Sequence, residues 1–272
     1  MFIDLWLFLG AMLVAGGVGG LLAGMLGVGG GIVIVPILEV MLGLAGIDSD
    51  IRMHIAVATS LATIIMTSLA STRAHARHDA VDWGLTRRWG VWVFLGAIAG
   101  TVFATRLHSA VLAGIFAVIG LLVAARMIVP VREQSLASEV PDGATALSVP
   151  VTIGALSAMI GIGGGTLMVP VLSRSRLGIH KAVGTSALFG LMISVPATVG
   201  YIIAGYGDDR LPPGSLGFVN LLGFVCIVPA AWLFAPWGAR LAHRLRPGHL
   251  AKAFGIFLLI VSCRMFYRAF SG

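Results

Sequence analysis

The stretch GMLGVGGGIVIVPIL, residues 24–38, decides the architecture of this chain because it interrupts a long apolar run with glycines. Four glycines fall within the five positions 27–31, and an apolar run containing Val-Pro follows them. A second stretch, SAMIGIGGGTLMVPVL at residues 157–172, repeats the pattern. Because glycine is the poorest helix former after proline, both stretches predict that one helix ends and another begins within an apolar segment.

The composition predicts an all-α, polytopic helical membrane protein. Of the 272 residues, 58% are hydrophobic and only 11% are charged, whereas soluble domains carry about 25% charged residues. The mean hydropathy is +1.01. Apolar segments of about 18 residues or more recur along the chain, which is typical of membrane-spanning helices. A transmembrane barrel would show short alternating segments instead.

The net charge of +7 does not indicate a nucleic-acid partner. Membrane proteins acquire basic loops from the rule that orients them in the bilayer, and no aromatic residues alternate with basic ones here. Cys226 and Cys263 fall in apolar segments and are predicted to be small buried hydrophobic residues. The N-terminal segment lacks the basic start of a secretory signal, so we predict a retained first helix.

The spans follow from helix length. Residues 5–38 contain no Asp, Glu, Lys or Arg, and as one helix they would reach about 51 Å, against a hydrocarbon core of about 30 Å. The segment must therefore break, and so must residues 143–173. The predicted breaks are Gly27, Gly29, Gly30 and Gly31 in the first segment and Gly161, Gly163, Gly164 and Gly165 in the second. The other predicted spans are 53–72, 89–105, 111–129, 182–205, 216–236 and 250–270, which makes ten if each broken pair crosses rather than re-enters.

The basic residues predict the orientation. With the loop around residues 73–88 in the cytoplasm, 13 of the 18 Lys and Arg fall inside and five fall outside, as the positive-inside rule requires. The acidic stretches at 48–50 and 208–210 then fall outside. Both termini are predicted to face outward.

The two halves of the chain match in order, which predicts a duplication. Besides the glycine stretches, the matches are His54 and AVATS (56–60) with His180 and AVGTS (182–186), VDW (81–83) with VNL (219–221), ATRL (104–107) with GARL (238–241), and RM (126–127) with RM (264–265). We predict a first repeat at 1–130, a cytoplasmic linker at 131–144 and a second repeat at 145–272. An odd number of spans in each half inverts the second repeat, and inverted repeats with paired broken helices point to a transporter site.

The glycine breaks also predict an anion site. A helix that restarts inside the bilayer leaves its first N–H groups without partners, at a cost of several kcal/mol each in hydrocarbon. These groups carry the positive end of the helix dipole, which attracts anions. Two such helix starts, converging from opposite directions, would bind one small anion. The predicted substrate-binding residues are Gly29, Gly30, Gly31, Ile32, Thr59, Ser60, Gly163, Gly164, Gly165, Thr166, Thr185 and Ser186.

Each of these assignments has a structural alternative. Glycines also permit close helix packing in membranes, and Gly16, Gly20 and Gly24 are assigned to that role. The Thr and Ser hydroxyls can bond to the preceding helical turn instead of a substrate. A Rossmann nucleotide site is disfavoured because Ile32 and Thr166 occupy the position that requires a small residue.

Three further residues are candidates for proton transfer or gating. His54 and His180 lie near helix starts, where proton transfer competes with a capping or structural role. Glu39 is unremarkable near the outer interface, but it would be a proton-coupling candidate if it were buried in the membrane. His75 and His78 are three residues apart, and a metal site there is disfavoured. No catalytic residue, metal or cofactor is predicted.

The stretches GVGGGIVIVPIL, GIGGGTLMVPVL, HIAVATS, HKAVGTS, AVDW, GFVNL and GARLAHRL resemble the TauE/SafE family of sulfite exporters and related sulfur-anion permeases. The resemblance covers residues 24–270. It implies inverted helical repeats in the bacterial inner (cytoplasmic) membrane. It also implies transport of sulfite, thiosulfate or organosulfonates. Ala58 stands where the second repeat has Gly184.

The predicted function is that of a carrier for a small sulfur oxyanion, and energetics favours export. A potential of 100 mV, negative inside, favours the exit of each negative charge by about 2.3 kcal/mol, so export requires no coupled ion. The alternatives are a carrier for another organic anion such as a carboxylate, an intramembrane enzyme, and a non-transporting scaffold. The predicted partners are the anion and the lipid bilayer, and the oligomeric state is left open.

Overall fold

The computed structural model describes residues 2–26, 30–128, 145–173, 177–244 and 247–271. Gly27, Gly29 and the predicted linker 131–144 lie outside these described residues. Within them the chain forms ten helices and one pair of two-residue strands, which confirms the predicted all-α fold. In chain order the elements are α1 (Phe2–Leu26), α2 (Gly31–Leu44), α3 (Ser49–Ala76), α4 (Trp83–Ala104), α5 (Ser109–Ile128), α6 (Thr145–Ile160), α7 (Gly165–Leu172), α8 (Gly178–Ala204), β1 (Ser215–Leu216), β2 (Val219–Asn220), α9 (Leu221–Arg244) and α10 (Pro247–Ser271).

Most of the observed helices begin before the predicted spans, because they include polar residues next to their caps. Asp48 precedes α3 and accepts a hydrogen bond from the Asp50 amide at 2.9 Å. Asp82 precedes α4 and accepts one from the Leu85 amide at 2.8 Å. Such caps satisfy N–H groups that the helix ladder leaves free. α9 begins later than predicted, because residues 215–220 form the antiparallel pairing of β1 with β2.

Four helical segments of the described chain are long and apolar enough to cross a membrane, namely Ser49–Ala76, Ser109–Ile128, Gly178–Ala204 and Leu221–Gly238. In contrast, α2 has 14 residues and α7 has eight, which correspond to about 21 Å and 12 Å. Neither spans a hydrocarbon core of about 30 Å. The second helix of each glycine-broken pair is therefore a half-helix.

The helices pair across the two halves of the chain. α1 packs on α9, α4 packs on α6, α5 packs on α10, and α3 packs on α8 in the centre. α3 and α8 are antiparallel, since Ser68 lies beside Gly190 whereas His75 lies beside Gly184. An inverted repeat requires these pairings, although the repeat relation itself stays a prediction. We call the end of the bundle that holds the α3–α4 loop the inner end and the opposite end the outer end, following the predicted orientation.

Small residues bring paired helices into backbone contact. A methyl group added to Gly16 would lie 2.5 Å from the Ile227 carbonyl oxygen, and one added to Gly24 would overlap the Ala235 carbonyl. Gly96 and Gly100 of α4 have the same relation to the backbone of α6. Small residues allow this close approach between membrane helices, and the packing role predicted for the α1 glycines is confirmed. The predicted burial is wrong for Cys263, which is exposed on α10.

Candidate functional site

The two glycine breaks meet in the middle of the bundle, between α3 and α8. The Ser60 hydroxyl of α3 donates a hydrogen bond to the Gly161 carbonyl at 2.8 Å. A methyl group added to Gly31 would overlap the same carbonyl. On the α8 side, a methyl group added to Gly164 would lie 3.0 Å from the Gly190 amide nitrogen. Because Ser60 and Gly190 both lie well inside their helices, the breaks are far from the helix ends.

The first turn of each half-helix is bonded to carbonyls of its glycine break. In α2 the amides of Val33 and Ile34 both donate to the Gly30 carbonyl, at 3.0 and 3.1 Å. In α7 the Thr166 amide donates to the Gly163 carbonyl at 3.3 Å, and the Met168 amide donates to the Gly164 carbonyl at 2.7 Å. The start of each half-helix carries the positive end of the helix dipole. Gly30 has a φ of 63°, a left-handed conformation that glycine adopts without steric cost.

A cavity of about 480 Å³ lies beside the second break and extends towards the inner end. The predicted site residues that line it are Gly163, Gly164, Gly165 and Ser186. Its other lining residues are Gly20, Ala23 and Gly24 of α1, Thr67, Ser68, Ala70, Ser71, Ala74 and His75 of α3, Ala187 of α8, and Ala231, Trp232, Ala235 and Pro236 of α9. Gly30, Gly31 and Ile32 are buried at the start of α2 and are not among the lining residues. Thr166 is buried next to Gly165.

Ser60 and Ser186 hold equivalent positions in the matched motifs but differ in their bonding. Ser60 donates to the Gly161 carbonyl, as described above. The Ser186 side chain is fully buried in the cavity wall, and its hydroxyl oxygen has no hydrogen-bond partner in the described part of the chain. A buried hydroxyl without a partner is costly. Ser186 therefore has hydrogen-bonding capacity that a bound molecule could use.

The hydroxyls of Thr59 and Thr185 hold the connections that lead into α9 and α4. Thr59 Oγ1 accepts a hydrogen bond from the Asn220 amide at 2.9 Å. Thr185 Oγ1 accepts one from the Asp82 amide, also at 2.9 Å. Asn220 and Asp82 are the aligned residues of VNL and VDW, so the same bond occurs once in each half. A substrate role for these two threonines stays a prediction.

Replacing Thr185 by valine is expected to lower the free energy of unfolding by about 1–3 kcal/mol, because the Asp82 amide loses its acceptor. Thermal unfolding of the purified protein in detergent would measure the change. Thr105→Val is the matched control, because the Thr105 hydroxyl donates only to the exposed end of its own helix, at the Val102 carbonyl. Equal shifts for both variants would show that the Thr185 bond contributes nothing.

The three candidates for proton transfer or gating lie in different surroundings. His54 is buried, with Nε2 3.2 Å from the Ala104 carbonyl oxygen and its ring stacked on Phe218 at 5.2 Å. His180 is exposed at the start of α8. Glu39 is buried on α2 and forms an ion pair with Arg268. His54 thus has a visible structural role, whereas a proton role for any of the three stays a prediction.

The outer end of the bundle is closed by packing. Tyr201 of α8 is fully buried, and its hydroxyl donates to the Ala158 carbonyl at 3.4 Å. Above it, Arg210 joins two outer loops, since it lies 2.7 Å from Asp208 and 3.7 Å from Asp48. The hydrogen bond from Arg210 keeps the pKa of Asp208 below its ordinary value. The cavity thus lies towards the inner end, while the outer end is packed.

The predicted site did not include the α3 wall of the cavity. Thr67, Ser68, Ser71 and His75 line it. Ser68, Ser71 and His75 follow one another at intervals of three and four residues, and Thr67 lies four residues before Ser71, which places them along one helix face. A polar stripe on an otherwise apolar helix is visible in the sequence. The spacing of His75 and His78 indicates at most a weak metal site, and within the described residues no group of three metal-ligating side chains occurs.

Known proteins identify the family. The profile of the family described as "Sulfite exporter TauE/SafE" matches residues 12–265. A probable membrane transporter protein of Haemophilus influenzae is 29% identical, with 94% of this chain and 97% of its own length covered. The probable membrane transporter protein YunE of Bacillus subtilis is 27% identical, with 94% and 96% covered. One from Xylella fastidiosa (strain 9a5c) is 30% identical, with 94% of each chain covered.

No solved structure matches the chain, so the family assignment depends on sequence. The matched residues include both glycine breaks and every helix that lines the cavity. Together with the apolar helices described above, the match shows that the chain belongs to the TauE/SafE family and is a multi-pass membrane transporter.

Proposed function

We propose that the chain exports a small sulfur oxyanion, such as sulfite or an organosulfonate, across the bacterial inner membrane by alternating access. The observation that carries this proposal is the cavity at the second glycine break. There the start of α7 and the partnerless hydroxyl of Ser186 lie in one wall. In the proposed orientation both termini lie outside the cytoplasm and the cavity opens inward.

The chemistry of the cavity favours an anion. Among the described residues that line it there is no Asp, Glu, Lys or Arg, and His75 is the one ionisable side chain. The positive end of the α7 dipole therefore meets no competing carboxylate. Gly163, Gly164 and Gly165 carry no side chains, so an oxyanion can approach their backbone closely. The hydroxyls of Ser68 and Ser71 can donate further hydrogen bonds to its oxygens.

Energetics supports export. The membrane potential, negative inside, favours the exit of each negative charge by about 2.3 kcal/mol per 100 mV. Glu39 is the buried carboxylate of the described helices, and Arg268 neutralises it. Passive export requires no proton-carrying side chain, which agrees with this arrangement.

The packed outer end supports alternating access. The Ser157 and Thr198 hydroxyls are buried there without hydrogen-bond partners in the described chain. They flank Ala158 and Tyr201, the residues that close this end. Orphaned hydroxyls in a packed region are costly. In an outward-open state, water or substrate would satisfy them.

A thermal-shift panel on the purified protein tests the substrate class. Sulfite, thiosulfate and sulfoacetate are expected to raise the melting temperature, because a ligand at about 100 times its Kd stabilises by about 2.7 kcal/mol. Sulfate and lactate serve as competitors of different chemistry. Gly164→Ala, which places a methyl group 3.0 Å from the Gly190 amide at the cavity, should reduce the shifts. A shift with lactate alone would favour a carboxylate carrier.

Flux in proteoliposomes tests transport. Efflux of the anion that binds is expected to follow the membrane potential and to persist when the proton gradient is collapsed at fixed potential. Loss of efflux under that condition would reject the passive mechanism. Absence of any flux of a bound anion would reject the carrier.

A further inference from the structure

His75 and Tyr201 occupy corresponding positions in the two halves of the chain. They are 126 residues apart in the sequence, which is also the separation of His54 from His180. The correspondence also has a structural basis, because Thr59 and Thr185, 126 residues apart, make the same bond to an aligned backbone amide. The matched positions therefore hold a histidine in α3 and a tyrosine in α8.

The Tyr201 and His75 side chains differ in burial. Tyr201 is fully buried and closes the outer end through its hydrogen bond to Ala158. His75 is half-buried in the cavity lining at the inner end, with its Cβ beside Gly184 of α8. If the two halves exchange conformations during transport, His75 becomes buried at the inner end when Tyr201 is released at the outer end.

We infer that His75 closes the inner end of the transport path, and that in its protonated form it closes only together with a bound anion. The inference rests on the proposed alternating-access function. A neutral imidazole can be buried as Tyr201 is now, because its polar atoms can find hydrogen-bond partners. Burial of an imidazolium without a negative partner is unfavourable. A bound anion at the start of α7, in the same cavity, supplies that partner.

The groups around His75 do not supply the missing negative charge. On its own segment lie Arg73, Arg77, His78 and Asp79, and at the start of α8 lie His180 and Lys181. The two carboxylates nearby are Asp79, which is exposed, and Asp82, whose backbone amide bonds to Thr185. The Asp82 carboxylate accepts a hydrogen bond from the Leu85 amide at 2.8 Å and caps α4. The residues of α1, α9 and the α6–α7 break that line the cavity carry no ionisable side chain. His78 and His180 are close enough to influence the His75 imidazole electrostatically. Protonation of His75 therefore adds a positive charge to an inner end that already carries several basic residues.

The closing equilibrium can be measured without any substrate. Spin labels at Ile179→Cys and Leu241→Cys, both exposed neutral positions at the inner ends of α8 and α9, report the inner opening in liposomes. Cys226 and Cys263 would be replaced by alanine. The ratio of closed to open protein is expected to fall by up to about tenfold for each pH unit below the pKa of His75 in the open state, which is the limit for linkage to one proton. The range from about pH 8 to about pH 5.5 covers histidine titration.

Variants distinguish His75 from its neighbours. His75→Gln, or His75→Asn if that variant does not fold, should abolish the pH dependence. His75→Tyr should favour the closed state at every pH. His78→Gln is the matched control, because His78 is exposed and outside the cavity lining, and it should retain the dependence. A wild-type equilibrium that ignores pH, or a dependence that survives in both the Gln and Asn variants, would overturn the inference.

Thiosulfate separates this inference from the proposed function. Its charge is constant over the pH range, and at about pH 5.5 it should restore the closed population in the wild type. If no anion in the panel binds, the proposed function fails irrespective of the spin-label result. If anions bind but the ligand-free equilibrium does not respond to pH, only the inference about His75 fails.

Discussion

Replacing Gly16 by leucine is expected to lower the free energy of unfolding by about 3 kcal/mol or more, because the side chain would force α1 away from α9. A methyl group at this position already lies 2.5 Å from the Ile227 carbonyl oxygen and 2.9 Å from the Ala230 Cβ. Gly16 is outside the cavity lining, so the variant tests helix packing and not the anion site. Thermal or denaturant unfolding in detergent would measure the loss.

Gly10→Leu on the same helix is the matched control. Within the described part of the chain, and apart from its own helix backbone, no atom lies within 4 Å of a methyl group built on Gly10. Both substitutions gain the same helix propensity from replacing glycine. The control should leave the midpoint of unfolding unchanged or slightly raised. Similar losses for the two variants would show that the α1–α9 contact does not depend on small residues.

Replacing Ser186 by alanine is expected to weaken anion binding about tenfold or more and to leave the ligand-free protein as stable as before. The weaker binding follows from the loss of one hydrogen bond to a charged group, which contributes about 1.5–3 kcal/mol. Stability is retained because the Ser186 hydroxyl has no partner to lose in the described chain. Titration of the sulfur oxyanion that binds, by calorimetry or thermal shift, measures the first effect. Unfolding without ligand measures the second.

Ser60→Ala is the control, and it should behave in the opposite way. Its hydroxyl bonds to the Gly161 carbonyl, so the loss is expected to destabilise the protein by about 1–3 kcal/mol. Anion affinity of the folded fraction should change less than in Ser186→Ala. If Ser186→Ala destabilises the protein while anion affinity stays the same, Ser186 is structural and the site proposed at the second break is wrong.

The helices and their interruptions could be predicted from the sequence because the forces that place them are local. Length, hydropathy and helix propensity located α5, α8 and α10 within four residues at each end, whereas α4 begins six residues before the predicted span and α3 extends four residues beyond it at each end. The glycine clusters predicted the breaks because glycine is the poorest helix former after proline. The spacing of Gly16, Gly20 and Gly24 predicted a close helix contact, although not that α9 would be the partner.

The division of roles between matched residues could not be predicted from the sequence. The matched motifs place Ser60 and Ser186 alike, yet the first bonds to the opposite glycine break and the second borders a cavity. Thr59 and Asn220 are 161 residues apart, so only the packed bundle brings them together. Likewise, nothing in the repeat pattern indicates that the cavity adjoins Gly163 and excludes Gly31.

The sequence by itself determined the class of molecule, a helical membrane protein of the TauE/SafE family with two broken helices, because composition and glycine placement act within single segments. Only the tertiary structure decided which break adjoins open space, which hydroxyl remains without a partner and that His75 lines the cavity. These features depend on how helices from both halves pack together. In this structure the outer end is closed around Tyr201, which is fully buried and bonded to the Ala158 carbonyl.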